Sequence, residues 1–463
     1  MIREGDSMTK LEMVRARFAR NEGLPFAEVL TKAKILEVLN NHGVKYRDRV
    51  FNPVTTIWGF LSQVLCDDHS CRDVVSRIIA HRAASGIRVC SPNTASYCNA
   101  RSRIQTGVLR TLARQTAQEL QSSIAEEWKW NGRSVFIADG SSVSMPDTPK
   151  NQERYLQPST QQPGLGFPLA RLTVLLSLAT GACHDLAMAP YQGKGTGETT
   201  LLRRMYNTLK PGDVVLADAL FDNYFLVCEL RDRGIDLVAR AQSQRVGSQT
   251  VESRPDGNII VWQRPNKPRG MTGDKYRTYP KTLLMREVTV DARDKNNRVE
   301  QFQVITTMLD ASIVGAQIGD LFERRWSGEV DIRSIKSTMH MDVLRCKTPE
   351  MVEKEIWTHM LAYNLLRTVM AVAASARNAE PRQLSFKGAK QVLTAFAPKI
   401  EGARPNDRKK LIDAMLTAIA YYRVGNRPGR WEPRAIKRRP KPATRLMQPR
   451  AIAKLQHNRS KWF

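Results

Sequence analysis

Between Arg133 and Ala241 short apolar runs, each bounded by Gly, Pro or Asp, alternate with stretches of helical periodicity, and no other feature narrows the fold so far. SVFIAD (134–139) and RLTVLLSLAT (171–180) read as buried strands. TGETTLLRRMYNTLKPGD reads as a helix that stops at Pro211 and Gly212, and VVLAD (214–218) follows at once. FDNYFLVCELRDRG is helical again, and IDLVARA (235–241) is the next strand. Strands alternating with helices imply an α/β layer fold with some parallel pairing.

The flanks are of different character. Residues 1–130 read as an all-helical domain of roughly five helices, because apolar positions recur at three and four with turn chemistry between them. One helix is expected over 25–43, closed by Gly43, and another after Asn52 and Pro53, a cap and a first-turn residue. Residues 242–311 are β-rich, with NIIVWQRP, LLMREVTVDARD and VEQFQVITTML, the last two joined through Lys295, Asn296 and Asn297. Helical periodicity resumes from Ile318 to Ala376, and units are expected over 131–241 and 312–378, on either side of the β-rich stretch. A helical segment (379–422) and a Pro-rich tail (423–463) follow.

The 463 residues suggest about three units at roughly 150 per domain. Apolar residues make up 42% and charged residues 25%, which places the chain among folded proteins. The outlying quantity is charge: 72 Lys and Arg against 45 Asp and Glu give +27, and the tail holds 13 of those cations against one acid, Glu432. Such an excess calls for a polyanionic partner. A membrane is disfavoured, since the longest nearly apolar run, Leu172–Ala182, is well short of the ~18–20 residues that cross a bilayer. The N-terminus lacks the apolar stretch of a signal peptide. Seven cysteines without a CxxC pair read as reduced thiols in an intracellular protein. Nucleic acid is the other polyanion to consider.

Asp139 and Asp218 share a context, each closing an apolar strand before a turn. A rigid sheet fixes such carboxylates while the loops beyond leave room for substrate, and Mg2+ takes one or two carboxylates per ion plus phosphate and water. The plainer alternative is that both are turn formers or helix caps. Asp147, Asp213 and Asp222 read as turn or cap residues, Asp222 being a rival to Asp218. In LFERRWSGEVDIRSIKSTMHM (321–341), Arg325, Glu329, Arg333 and Lys336 fall within about 80° of one another on a helix, joined by Phe322 if the helix extends back that far. Ile332, Ile335 and Met339 form an apolar stripe beside them. A carboxylate among cations suits a nuclease; Arg325 and Glu329 could equally be a surface ion pair.

Taken together, these residues resemble the DDE transposases of the IS-four family, to which the Tn-five and Tn-ten transposases belong. That family's signature is Y-x2-R-x3-E-x6-K, matched by Arg325, Glu329 and Lys336, with Phe322 at the tyrosine position. IADGSSVSMPDTPKNQERY carries the first Asp of the pattern, Asp139, and VVLADALFDNY the second, Asp218. FNPVTTIWGFLSQVLCDDHSC and NTASYCNAR also resemble the family's N-terminal region, so the resemblance spans about 45–375. It implies a ribonuclease-H-like core with a β-rich insertion, and a catalytic and metal-binding triad of Asp139, Asp218 and Glu329 holding two Mg2+ ions, for which Mn2+ can substitute. Arg325, Arg333 and Lys336 would bind DNA phosphates. Phe302, Trp262 and Trp326 are candidates for stacking on a flipped base, with a core role as the alternative for each. The implied partners are double-stranded DNA, as terminal inverted repeats and target, and a second copy in a homodimer. The implied reaction is hydrolysis and strand transfer through a hairpin intermediate, in the cytoplasm at the nucleoid. The competing readings are a catalytically inactive or repurposed DNA-binding derivative, and another ribonuclease-H-like nuclease.

Basic surfaces are expected at 101–114, at 240–281 with Arg286, and in the tail, where Trp431 and Trp462 permit stacking. Sequence-specific recognition falls to the N-terminal helices.

Overall fold

The computed structural model describes residues 26, 29–242, 248–293, 299–425 and 446–459, and among these, five helices come first. They are α1 (Lys32–Asn41), α2 (Pro53–Leu65), α3 (Cys71–Ala84), α4 (Ala95–Arg103) and α5 (Thr106–Ser123). The helix expected from residue 25 begins only at Lys32, because Thr31 caps it by accepting from the Lys34 amide. Gly43 follows α1 at φ +65°, a conformation costly to other residues. Asn52 caps α2 by accepting from the Thr55 amide at 2.9 Å, and Pro53 takes its first turn.

The α/β region forms one sheet. Its elements are β1 (Val135–Ser144), α6 (Pro149–Arg154), β2 (Leu169–Ser177), β3 (Cys183–Pro190), α7 (Glu198–Arg203), β4 (Val214–Ala217), α8 (Tyr224–Arg231) and β5 (Asp236–Arg240). The β-rich insertion adds β6 (Ser248–Arg254), β7 (Gly257–Gln263), α9 (Gly273–Thr278), β8 (Thr282–Arg293) and β9 (Val299–Thr306). Among the described residues the nine strands run in the order β3-β2-β1-β4-β5-β9-β8-β7-β6. β1–β4 and β4–β5 are parallel, and the other pairs are antiparallel. The arrangement is that of a ribonuclease-H-like fold with insertions, and the insertion extends the sheet by pairing β9 with β5. Lys295, Asn296 and Asn297 lie outside the described residues.

Strand β3 is the element that periodicity does not announce. His184 and Asp185 interrupt its apolar run, yet both are buried. The Asp185 carboxylate accepts from the Arg114 fork, Thr208 and the Leu186 amide, which makes its burial tolerable.

The helical run expected over Ile318–Ala376 is broken. It divides into α10 (Gly315–Glu323), α11 (Trp326–Arg333) with a π-helical turn over Ser334–Thr338, and α12 (Pro349–Ser375). His340 at φ +56° and a parallel bridge from Val343 to Ser144 take the chain out of helix, and Thr348 with Pro349 restarts it. α13 (Phe386–Glu401), α14 (Pro405–Tyr421) and α15 (Arg450–Arg459) follow. Most of the tail, with Trp431 and Trp462, lies outside the described residues.

α12 is buried almost throughout and joins the helical region to the sheet. Asn364 makes that junction specific. Its side chain accepts from the Cys183 amide and donates to the carbonyls of Cys183 and Ala113. α7 and α8 cover the opposite sheet face. Among the described residues, no helix is long and apolar enough to cross a membrane.

Candidate active site

Ile137 of β1 pairs with Leu216 of β4 across the parallel ladder. Two residues on from each stand Asp139 and Asp218. Side chains repeat every second residue, so the two carboxylates leave adjacent strands, about 4.8 Å apart in backbone spacing, on the face that Ile137 and Leu216 share. Asp218 directly follows β4, as expected, and accepts from the Leu220 amide at 2.9 Å. Asp139 does not end its strand: β1 runs on to Ser144, because residues 140–144 continue the antiparallel ladder with β2. Its carboxylate accepts from the Gly140 amide at 2.7 Å.

Glu329 reaches this place on α11, which crosses β1 at Gly328. A Cβ on Gly328 would stand 2.7 Å from Ile137 Cγ2 and 3.7 Å from Asp139 Oδ2, so the close crossing depends on glycine. Arg325 donates to Glu329 at 3.0 Å, both side chains being partly buried. The single stripe expected of this segment is split. Phe322 belongs to α10, where it is buried with its ring 5.5 Å from that of Phe302. Lys336 lies in the π turn and donates to Ser141 Oγ at 3.2 Å and to the Ser142 carbonyl at 2.8 Å. Arg333 is exposed, while Ile335 and Met339 are buried as expected.

Burial pushes the Asp139 carboxyl up to about 6, with the Gly140 amide and Arg325 opposing and the charges of Asp218 and Glu329 adding to the rise. A fourth carboxylate, absent from the sequence reading, shares this field. Glu198, first residue of α7, is raised by burial and by Asp218, with Arg171 opposing and Asp139 reinforcing. A Cβ on Gly140 would sit 2.1 Å from Glu198 Cδ, so this glycine leaves the space that Glu198 fills. A lone glycine inside a strand often marks such an approach, and Gly140 was the available signal.

The aromatic candidates separate. Trp262 is only 2% exposed and packs in the core. Phe302 is half-buried between Phe322 and Arg240, whose guanidinium lies 4.9 Å from the ring centroid. Trp326 is 53% exposed. Of the carboxylates read as turn or cap residues, Asp213 accepts from the Lys210 amide within its own turn, whereas Asp147 accepts from the Gln152 side chain and buried Asp222 from the amide of Gln242, 20 positions on.

Among the described residues no group of three or more His, Cys, Asp or Glu stands close enough together to hold a metal ion. The donors that face one another are carboxylate oxygens, the type that Mg2+ takes. They fit such an ion in kind, but their spacing does not close a ligand shell.

A family model described as "Transposase DDE domain" matches residues 130–365. The chain is 28% identical over 352 residues to the transposase InsG for insertion sequence element IS4 of Escherichia coli (strain K12), covering 74% of this chain and 76% of that protein. It is 29% identical over 136 residues to a protein of the same organism named "Putative transposase InsZ", covering 29% of this chain and 44% of that protein.

Proposed function

We propose that this chain, which belongs to the transposase DDE domain family, binds the terminal inverted repeats of a mobile element and cuts and joins DNA there. The observation that supports the reading is that Asp139 on β1 and Asp218 directly after β4 each stand two residues beyond the Ile137–Leu216 pair, with Glu329 on the helix that crosses β1 at Gly328. Asp139, Asp218 and Glu329 are the residues that would hold Mg2+, or Mn2+ in its place. Such an ion supplies Lewis-acid polarisation of a phosphoryl oxygen and a more acidic bound water. Arg325 holds Glu329 in place. Arg333, exposed at the end of α11, and the remaining donor of Lys336 are available to DNA phosphates, and Trp326 is free to meet a base. In this reading the helices within 1–130 contact the repeat, a second copy pairs the two ends, and the protein works at the nucleoid.

A second reading is a DNA-binding member of the family without catalysis, and the open spacing of the carboxylates favours it. Radiolabelled end-containing DNA separates the two. Under the catalytic reading, wild type with Mg2+ gives nicked, hairpin and strand-transfer products. Asp139→Asn, Asp218→Asn and Glu329→Gln each abolish them while binding stays nearly unchanged. Wild-type binding without any cleavage would leave the second reading standing. Nicks without hairpin or strand transfer would point to a different nuclease of the same fold.

A further inference from the structure

At the free edge of β3 lies a half-open cavity of about 200 Å³. Leu186 and Met188 contribute its apolar floor, and Trp357 of α12 walls it. Three arginines from two elements converge on it: Arg110 and Arg114 of α5, and Arg204 just after α7.

Each guanidinium is fixed from behind. Arg114 forks onto Asp185 at 2.7–2.9 Å, Asp185 being 1% exposed, and yet the Arg114 side chain remains 42% exposed. Arg204 donates to the carbonyls of Met188 and Gly195 at 3.2 and 3.1 Å. Arg110 lies against the Trp357 ring at 5.5 Å, and its buried Nε meets no acceptor. Rigid forks with donors to spare are what binds phosphate oxygens well. Against the three cations stand Asp185, buried behind Arg114, and Glu353 on the cavity wall, so the balance of these five groups is one positive charge. A phosphodiester carries one negative charge.

The cavity is also aligned with the carboxylates. Leu186 pairs with Val174, which pairs with Asp139, and Met188 pairs with Leu172, which pairs with Ser141. The floor thus lies two strand steps, roughly 10 Å, from Asp139. That is the rise of about three nucleotides.

We propose that this cavity seats a backbone phosphodiester of a DNA strand lying across β1, β2 and β3, a few nucleotides from the carboxylates. The assignment rests on the reading of the chain as a DNA-processing protein. The structural alternative is that the arginines only guard an exposed strand edge.

The full-length chain tests it with Arg110→Gln, Arg204→Gln and their double variant. Lys399→Gln/Lys409→Gln, at two exposed cations on α13 and α14 outside the expected basic surfaces, corrects for general loss of two charges. Affinity for end-containing duplex is measured by fluorescence anisotropy across a salt series. The double variant loses about 10-fold in affinity, and its log–log salt slope falls by about 0.9, one phosphate contact. The comparator loses less on both measures. Inorganic phosphate, at matched ionic strength, raises the unfolding midpoint of wild type and not of the double variant. Arg204→Lys, which keeps the charge, retains the slope. Duplex affinity and slope in the Arg110/Arg204 double variant equal to those of the comparator overturn the proposal. So does a phosphate effect without any change in DNA binding, which would make the cavity a site for the free anion. Weakened DNA binding in the arginine variants together with cleavage persisting in Asp139→Asn would uphold the cavity and sink the catalytic assignment.

Discussion

Lys336 donates to the Ser142 carbonyl at 2.8 Å and to Ser141 Oγ at 3.2 Å, so the π turn after α11 is tied to the strand that carries Asp139. Two of its three donors are engaged inside the protein, and burial lowers its pKa. Lys336 therefore clamps Glu329's helix to Asp139's strand. Lys336→Met should cost about 1.5–3 kcal/mol, the range for hydrogen bonds to a charged group. Urea unfolding checks the cost. An unchanged midpoint would mean that the clamp contributes nothing.

Gly328→Ala probes the crossing of α11 over β1. Alanine gains about 1 kcal/mol in helix propensity, yet its Cβ would meet Ile137 Cγ2 at 2.7 Å, and overpacking costs about 1–3 kcal/mol. Net destabilisation is expected, with the helix pushed off the strand and DNA cleavage reduced more than DNA binding. A more stable variant with full cleavage would show that the close approach is dispensable.

Asp331 explains how the same helix is anchored on its inner side. Its carboxylate is buried between Arg367 and Arg382, and Arg367 also donates to Tyr363 Oη at 2.9 Å. Asp331→Ala leaves two guanidiniums without their shared partner, and removing one member of a buried ionic set costs about 3–5 kcal/mol. Thermal unfolding of the variant should show a large fall in midpoint, whereas exposed Asp274→Ala should show almost none.

Glu198 has the opposite profile. It is half-buried and feels repulsion from Asp218 and Asp139. Glu198→Gln removes that repulsion, so the unfolding midpoint rises slightly. If Glu198 takes part in the chemistry, cleavage falls at least tenfold at the same time. Unchanged cleavage would make it a bystander.

What the sequence revealed follows from the range of the interactions concerned. Helix caps at Asn52 and Pro53 and the strands VVLAD and IDLVARA are local patterns, so they are legible and correctly placed. Asp139 and Asp218 were legible only as an Asp at the close of each of two similar apolar runs. Their adjacency comes from the β1–β4 register, which depends on distant chain segments. Strand β3 stayed hidden because its buried Asp185 is satisfied by Arg114, 71 positions away. The helix from Ile318 appeared continuous because periodicity continues through Arg324 and Arg325, whereas the break is set by packing against β1 and the bridge to Ser144. Glu198 escaped notice because no spacing rule links it to Gly140.

A cluster of histidines links the helical region to α12 and sets a pH dependence. The His69 ring centroid lies 5.4 Å from that of His340 and 6.2 Å from that of His359. Burial lowers His69 to about 4, helped by Arg345, His340 and Lys390 and opposed by Asp67. Burial also lowers His359 to about 3, with His69 and His340 adding. Both rings are thus neutral in the fold, while unfolded histidine titrates near 6.5. Above pH 6.5 neither state takes the proton, and these groups leave stability independent of pH. From pH 6.5 down to about 4 the unfolded chain binds protons that the folded chain refuses, so each histidine removes about 1.4 kcal/mol per pH unit. Below about 4 His69 protonates in the fold too, and only His359 continues, to about 3. Asp139, raised to about 6, works in the other sense, since the fold takes its proton first. Urea titrations at pH 7.5, 6 and 5 on wild type and on His359→Gln isolate the histidine share. The variant should lose stability less steeply between pH 6.5 and 5, by about 1.4 kcal/mol per unit. Parallel curves for the two proteins would show that His359 is not held neutral by the fold.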